Sequence, residues 1–293
     1  MENLLNKLRK FEIRIRKAIN THMHGDFTSV FKGSGLQFDD VRSYQYGDDV
    51  RTINWNVSAK GHGTFVKTFK EEKEQNVFFI LDVSGSQEIG MKSAKKKIEI
   101  GKEICGVLTL SAIKESGNVG LIGYSDDKEI YIKPDKGMKH AYYLILKLFK
   151  LQTKSVKTNL NKGLKFTLGL LKRKSVVILI SDFIDTDYEQ NLIALAKKHD
   201  LVVIHLSDVR EVQFPKLGII PLYDKENKKT IWINSSSSNF RASLSQSFSE
   251  NQKQLEQLCR KYKASYLWID TRDDYVLKLV KLFQLRSKNK RSA

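Results

Sequence analysis

The stretch from Asn76 to Ser86 constrains the fold more than any other. It reads Asn-Val-Phe-Phe-Ile-Leu-Asp-Val-Ser-Gly-Ser, an unbroken apolar run from Val77 to Leu81 that stops at Asp82, with Ser84 and Ser86 following at alternate positions. An apolar run without polar alternation suits a strand covered on both faces, as in a parallel sheet. Open α/β sheets bind ligands just beyond the carboxyl ends of their strands, so a carboxylate and two hydroxyls at that point mark a functional edge.

Strand and helix patterns alternate through the rest of the chain. Helical spacing is expected over 91–115, 138–151, 158–171, 243–262 and 273–286 and in a helix that follows Asp185 and ends at Lys198, and strand patterns over 119–124, 129–133, 175–181, 201–206 and 265–270. That order predicts an α/β fold with a doubly wound, Rossmann-like, mostly parallel sheet and helices on both faces. Two strand-like runs, 217–223 and 230–234, surround a polar turn and predict a β-hairpin insertion within 209–242. Ahead of the sheet, residues 1–75 combine a basic amphipathic helix over 3–21 with a glycine-punctuated, β-rich accessory segment. The α/β domain is expected over 76–286, and the basic tail over 287–293 frays.

Composition narrows the function classes. Lys and Arg number 51 against 33 Asp and Glu, a net charge of +18 that draws a protein towards nucleic acid, anionic lipid or an acidic partner. The basic residues are spread along the whole chain, which fits a generally basic surface better than a dedicated nucleic-acid tract. Cys105 and Cys259 fall in separate apolar helical patterns, so buried thiols are expected rather than a disulfide. No apolar run reaches the roughly 18 residues of a membrane span and the start lacks a signal-peptide core, which predicts a cytoplasmic protein. The basic helix over 3–21 packs on its own protein or touches a membrane surface. His22 and His24 lack a third nearby ligand and read as a turn. The acids Asp39, Asp40, Asp48 and Asp49 alternate with Arg42 and Arg51, which suits internal salt bridges and turn caps rather than a calcium loop.

Thr158, opening a helix after a polar loop, and Asp182, at the end of the 175–181 strand, bring further oxygens to the edge marked by Asp82, Ser84 and Ser86. In a doubly wound sheet these five side chains share one edge. Carboxylates and hydroxyls suit a small hard cation such as Mg²⁺ or Mn²⁺, one ion with waters completing its shell. The set Asp82-x-Ser84-x-Ser86, Thr158 and Asp182 resembles the metal-ion-dependent adhesion site of von Willebrand factor A domains. The segment from Gly33 through Lys60, with Asp39-Asp-Val-Arg42, Tyr46-Gly-Asp-Asp49 and Ile53-Asn-Trp55, followed by Phe65-Val-Lys-Thr-Phe-Lys-Glu-Glu72, is similar to the bacterial family called domain of unknown function 58. Asn54 stands where that family usually has Asp, and Lys60 where Arg is usual.

The resemblance implies a von Willebrand A-type α/β domain acting as a non-enzymatic protein-interaction module. It also implies an accessory role beside a MoxR-type AAA+ ATPase, in assembling or maturing a client protein. Two readings from other classes stand beside it. A basic nucleic-acid-binding protein would stack bases on Tyr142, Tyr143, Trp232 or Trp268, although each lies in an apolar stretch where core packing is expected. A Mg²⁺-dependent phosphatase using Asp82 would need an acid two residues on, where this chain has Ser84.

Overall fold

The computed structural model describes residues 37–61, 63–70, 75–88, 95–155, 157–212, 216–224 and 229–291. The helix expected over 3–21, with its membrane contact, and His22 and His24 lie outside these residues, as does the end of the basic tail. The chain divides into two compact units, one within residues 32–75 and one containing everything from Asn76 on.

In the small unit, strand β1 (Gln37–Ser43) pairs antiparallel with β2 (Phe65–Lys70). The turn between them uses the alternating charges as the sequence predicts. Arg42 holds Asp48 through two nitrogens at 2.7 and 2.8 Å, and the Asp49 carboxylate accepts from the Arg51 N–H at 2.9 Å, capping a short 3-10 turn. A one-turn helix, α1 (Trp55–Ser58), follows.

The larger unit is built on a six-stranded sheet. Its strands are β3 (Asn76–Asp82), β4 (Asn118–Tyr124), β5 (Lys128–Asp135), β6 (Val176–Ser181), β7 (Asp200–Ser207) and β10 (Ser265–Asp270), in the spatial order β10-β7-β6-β3-β4-β5. All pairings are parallel except β4 with β5, which a short turn joins into a hairpin. The central strands β3, β6 and β7 are apolar because both their faces are covered. On one face pack α2 (Lys97–Lys114), α3 (Met138–Lys150) and α8 (Tyr275–Arg291), around Phe79, Leu81, Ile104, Leu108, Ile180 and Phe283. The other face carries α4 (Leu160–Leu170), α5 (Glu189–Lys198) and α7 (Ser238–Lys261), around Ile80, Ile122, Leu164, Leu179 and Leu255. Between β7 and α7 come a single helical turn, α6 (Val209–Val212), and the antiparallel hairpin of β8 (Ile219–Asp224) with β9 (Lys229–Asn234).

Two glycines set how closely the helices approach the sheet at its carboxyl edge. A Cβ at Gly101 would lie 2.8 Å from Leu81 Cδ1, so glycine lets the first turn of α2 settle against the end of β3. A Cβ at Gly163 would lie 2.7 Å from the Tyr124 ring, so α4 reaches the end of β4 for the same reason.

Several sequence expectations change in the folded chain. Cys105 and Cys259 are free and buried, as expected. His199, the residue that caps the end of α5, is buried. Tyr142, Tyr143 and Trp232, expected in the core, are exposed. The helical stripe of α3 buries Ala141, Leu144, Ile145 and Leu148 instead, and Trp232 sits on the two-stranded hairpin. Helix α8 runs on to Arg291, anchored by the Arg286 guanidinium on the Asp200 carboxylate at 2.6 and 2.7 Å. Among the described residues no helix is long and apolar enough to cross a membrane.

Candidate functional site

Asp82 is the last residue of β3 and is wholly buried. One carboxylate oxygen accepts from the Ser84 N–H at 2.9 Å, which folds the chain back after the strand. The other accepts from Ser181 Oγ at 2.7 Å and from the Gln87 side-chain amide at 3.3 Å. Ser84 and Ser86 then bring their hydroxyl oxygens within 3.0 Å of each other, Ser84 buried and Ser86 half-buried. Burial first, and the neighbouring Asp182 charge second, push Asp82 up to about 6, partly offset by the hydrogen bonds it accepts.

Asp182 directly follows β6, the neighbour of β3 in the sheet. The next residue, Phe183, takes a left-handed backbone with φ 54°, and its N–H donates to Ser181 Oγ at 3.1 Å. A bulky residue holds that conformation only where its surroundings enforce it. The Asp182 carboxylate accepts from the Ile184 N–H at 3.3 Å and from the Lys97 ammonium at 2.7 Å. Lys97, in the first turn of α2, is completely buried and also donates to Glu211 of α6. Burial alone would lower the Lys97 pKa, but the Asp182 and Glu211 charges outweigh it and the net shift is upward. Glu211 is itself raised, by burial more than Lys97 lowers it.

Thr158 is half-buried, one residue before the N-cap of α4. Its neighbours anchor that turn on both sides of β3. The Asn159 N–H donates to the Ser125 carbonyl beyond β4 at 3.0 Å, and the Leu160 N–H donates to the Asp185 carboxylate beyond β6 at 2.6 Å. Since β3 lies between β4 and β6, the turn carrying Thr158 spans the end of the strand that carries Asp82. All five residues singled out in the sequence therefore stand on one sheet edge.

The donor set consists of two carboxylates and three hydroxyls. Among the described residues no group of three or more His, Cys, Asp or Glu side chains is arranged to hold a metal ion. A hard cation fits this edge on two observations. The buried cluster of Asp82, Asp182 and Glu211 carries three carboxylates against the single Lys97 ammonium, leaving two negative charges in a place that disfavours charge. In addition, Gln87 Oε1 is buried without a hydrogen-bond partner, and Tyr124 lies close enough to Asp82 for that charge to add to burial in raising its pKa. Oxygen ligands and a surplus of two negative charges match a small divalent ion.

Lys97, Glu211, Ser181 and Gln87 escape notice in the sequence. Lys97 is hidden in the run Lys95-Lys96-Lys97, which looks like a solvated basic face. Its one signal is position, because a cation in the first turn of a helix opposes the helix dipole and needs a compensating carboxylate. Ser181 precedes Asp182 and could have been read with it, whereas nothing in the local sequence marks Glu211 or Gln87.

The model of a family described as "Protein of unknown function DUF58" matches residues 40–254. The uncharacterized protein Rv1480 of Mycobacterium tuberculosis (strain H37Rv) is 23% identical over 229 residues, covering 75% of this chain and 70% of that relative. Among solved structures, the conserved hypothetical protein BatB from Bacteroides thetaiotaomicron is similar with a TM-score of 0.47 at 14% identity, over 73% of this chain and 99% of the other. The SpRpn10 VWA domain is similar with a TM-score of 0.37 at 12% identity, over 71% of this chain and 93% of the other.

Proposed function

The chain belongs to the family described as Protein of unknown function DUF58, and from that premise we propose that it is a non-enzymatic protein-interaction module whose docking edge is completed by a divalent cation. Ser84, Ser86 and Thr158 would hold Mg²⁺ or Mn²⁺, with Asp82 and Asp182 positioning the hydroxyls and bound waters. The ion supplies an electrophilic centre that accepts one more oxygen ligand. This chain's residues leave that ligand to a partner, because Ser84, Ser86 and Thr158 are neutral and Lys97 answers only one of the two carboxylates it bridges, Asp182 and Glu211. A carboxylate from another protein suits that place. The observation that carries the reading is the buried surplus of two negative charges beside converging hydroxyls.

The partner of choice is a MoxR-type AAA+ ATPase or its client, as the family resemblance implies, and the working compartment is the cytoplasm. Isothermal calorimetry with Mg²⁺ and Mn²⁺ on the wild type and on Asp82→Ala tests the ion, and equal binding by both would sink the assignment. Capture of a purified MoxR-type ATPase with and without chelator tests the partner. Capture that ignores the chelator removes the ion from the docking role.

A second reading draws on the exposed Tyr142 and Tyr143 of α3, where the Lys147 ammonium lies 5.6 Å from the centre of the Tyr143 ring. Exposed aromatics beside lysines suit nucleic acid. Titration of a generic DNA duplex against salt separates the readings, since charge-driven binding falls steeply with salt.

A further inference from the structure

Two strands along the same carboxyl edge, the sheet leaves space. A cavity of about 360 Å³ lies between the ends of β7 and β10 and helix α7, with Ser207 and Trp268 on the sheet side, Ser245, Phe248, Ser249 and Gln252 on α7, and the Asp270–Arg272 ion pair at its polar rim. Its origin is visible in the helix. The inward stripe of α7 is apolar at Leu255, Leu258 and Cys259, but one to three turns earlier the helix borders the cavity with half-buried Gln252 and Ser245 and with exposed Ser249 at the mouth. Small hydroxyl residues on a face that elsewhere fills the core leave a hole. At its wall Ser207 is 3% exposed and its hydroxyl has no hydrogen-bond partner. An unmade bond of that kind is costly unless something supplies it. Flat apolar walls from Trp268 and Phe248 with a waiting hydroxyl describe a receptor for an aromatic ring that carries a polar tip.

We infer that this cavity receives a tyrosine side chain from the same polypeptide whose acidic side chain docks at the Asp82 edge. This rests on the docking reading above. The spacing supports a single polypeptide as occupant. In the order β10-β7-β6-β3, the cavity lies two to three strands from Asp82, which at about 4.8 Å per strand is roughly 10–14 Å. An extended chain rises about 3.3 Å per residue and points alternate side chains the same way, so the acid and the tyrosine stand four residues apart.

The test is selection of a random twelve-residue peptide display library on the full chain in Mg²⁺, repeated in EDTA and on two variants. Ser249→Leu fills the cavity from an exposed helix position that folding tolerates. Ser207→Ala removes only the unpartnered hydroxyl. Expected are sequences with Asp or Glu and an aromatic residue four positions apart. The aromatic preference should vanish on Ser249→Leu, and the preference of Tyr over Phe, about tenfold at most for one hydrogen bond, should fall to parity on Ser207→Ala. Acidic peptides without aromatic enrichment overturn the cavity assignment and leave the docking edge standing, as does an aromatic preference that survives Ser249→Leu. Aromatic enrichment that Ser249→Leu abolishes, but with no acidic residue and no sensitivity to EDTA, overturns the docking edge and the link to it while the cavity keeps its aromatic guest.

Discussion

Asp82 and Asp182 end neighbouring strands of one sheet and are both buried, yet the protein surrounds them differently. Asp182 meets a full positive charge, the Lys97 ammonium at 2.7 Å, shared with Glu211. Asp82 meets only dipoles, from the Ser84 N–H, Ser181 and Gln87. The first arrangement is a brace, one ammonium held between two carboxylates. The second is a buried carboxylate without a counter-ion, beside two facing hydroxyls, and that difference separates a brace from the position proposed to bind the cation.

The largest expected effect strikes the brace. Lys97→Met leaves two buried carboxylates facing each other without their cation and should lower folding stability by about 3–5 kcal/mol, measured by guanidinium unfolding. A loss under ~1 kcal/mol would mean that Asp182 is as exposed to compensation as Asp82, and the contrast would break. Next comes the binding position. Mg²⁺ at a hundred times its dissociation constant should stabilise the wild type by ~2.7 kcal/mol in the same assay, and Asp82→Asn should abolish that gain without a comparable loss in the metal-free protein. Ser84→Ala should then weaken Mg²⁺ binding by about tenfold in calorimetry while leaving the metal-free unfolding midpoint in place.

Acid titration sharpens the contrast once an unrelated group is removed. His199, buried without partners for either ring nitrogen, is pushed down to about 4 by burial and then by Lys198. Its ordinary value is 6.5, so its contribution to stability is complete above that pH and is lost as the pH falls from 6.5 towards 4. His199→Gln should flatten that part of the stability profile by at most ~1.4 kcal/mol per pH unit. A profile unchanged by the substitution would remove His199 as the source of the slope, and the raised Asp82 carboxyl acts in the opposite sense, adding stability as the pH falls below about 6. Smallest of all, Ser207→Ala should raise the stability of the free protein by about 1 kcal/mol, because the buried hydroxyl it deletes makes no bond in the fold.

Most of the fold is legible in the chain itself. The apolar runs Val77–Leu81, Val176–Ile180 and Leu201–Ile204 are continuous because parallel strands are covered on both sides, and the helices between them show their buried stripes. The misplacements have physical causes. Tyr142 and Tyr143 sit among apolar residues, but a helix buries only one stripe, and in α3 that stripe is completed without them. His199 looks polar in a loop, but it caps α5 directly before the chain re-enters the sheet at Asp200, and it is buried there.

The candidate site divides along the same line. Its five oxygen-bearing residues follow from the strand ends and a helix start, features that local pattern reveals, and the folded chain gathers them on one edge. The ammonium that distinguishes the two carboxylates does not follow. A lysine in a run of three carries no sign of which partner it will meet, and its partners lie 85 and 114 residues away.

The order of apolar and polar residues along the chain was enough to determine the alternating architecture and where its polar edge must fall, because both are consequences of burying strands on two faces. Which charges cancel there, and where the helices leave a hole, was decided only by the tertiary structure. Close approach at Gly101 and Gly163, and the change of α7 from leucine to serine opposite Trp268, have meaning only once the elements are brought together.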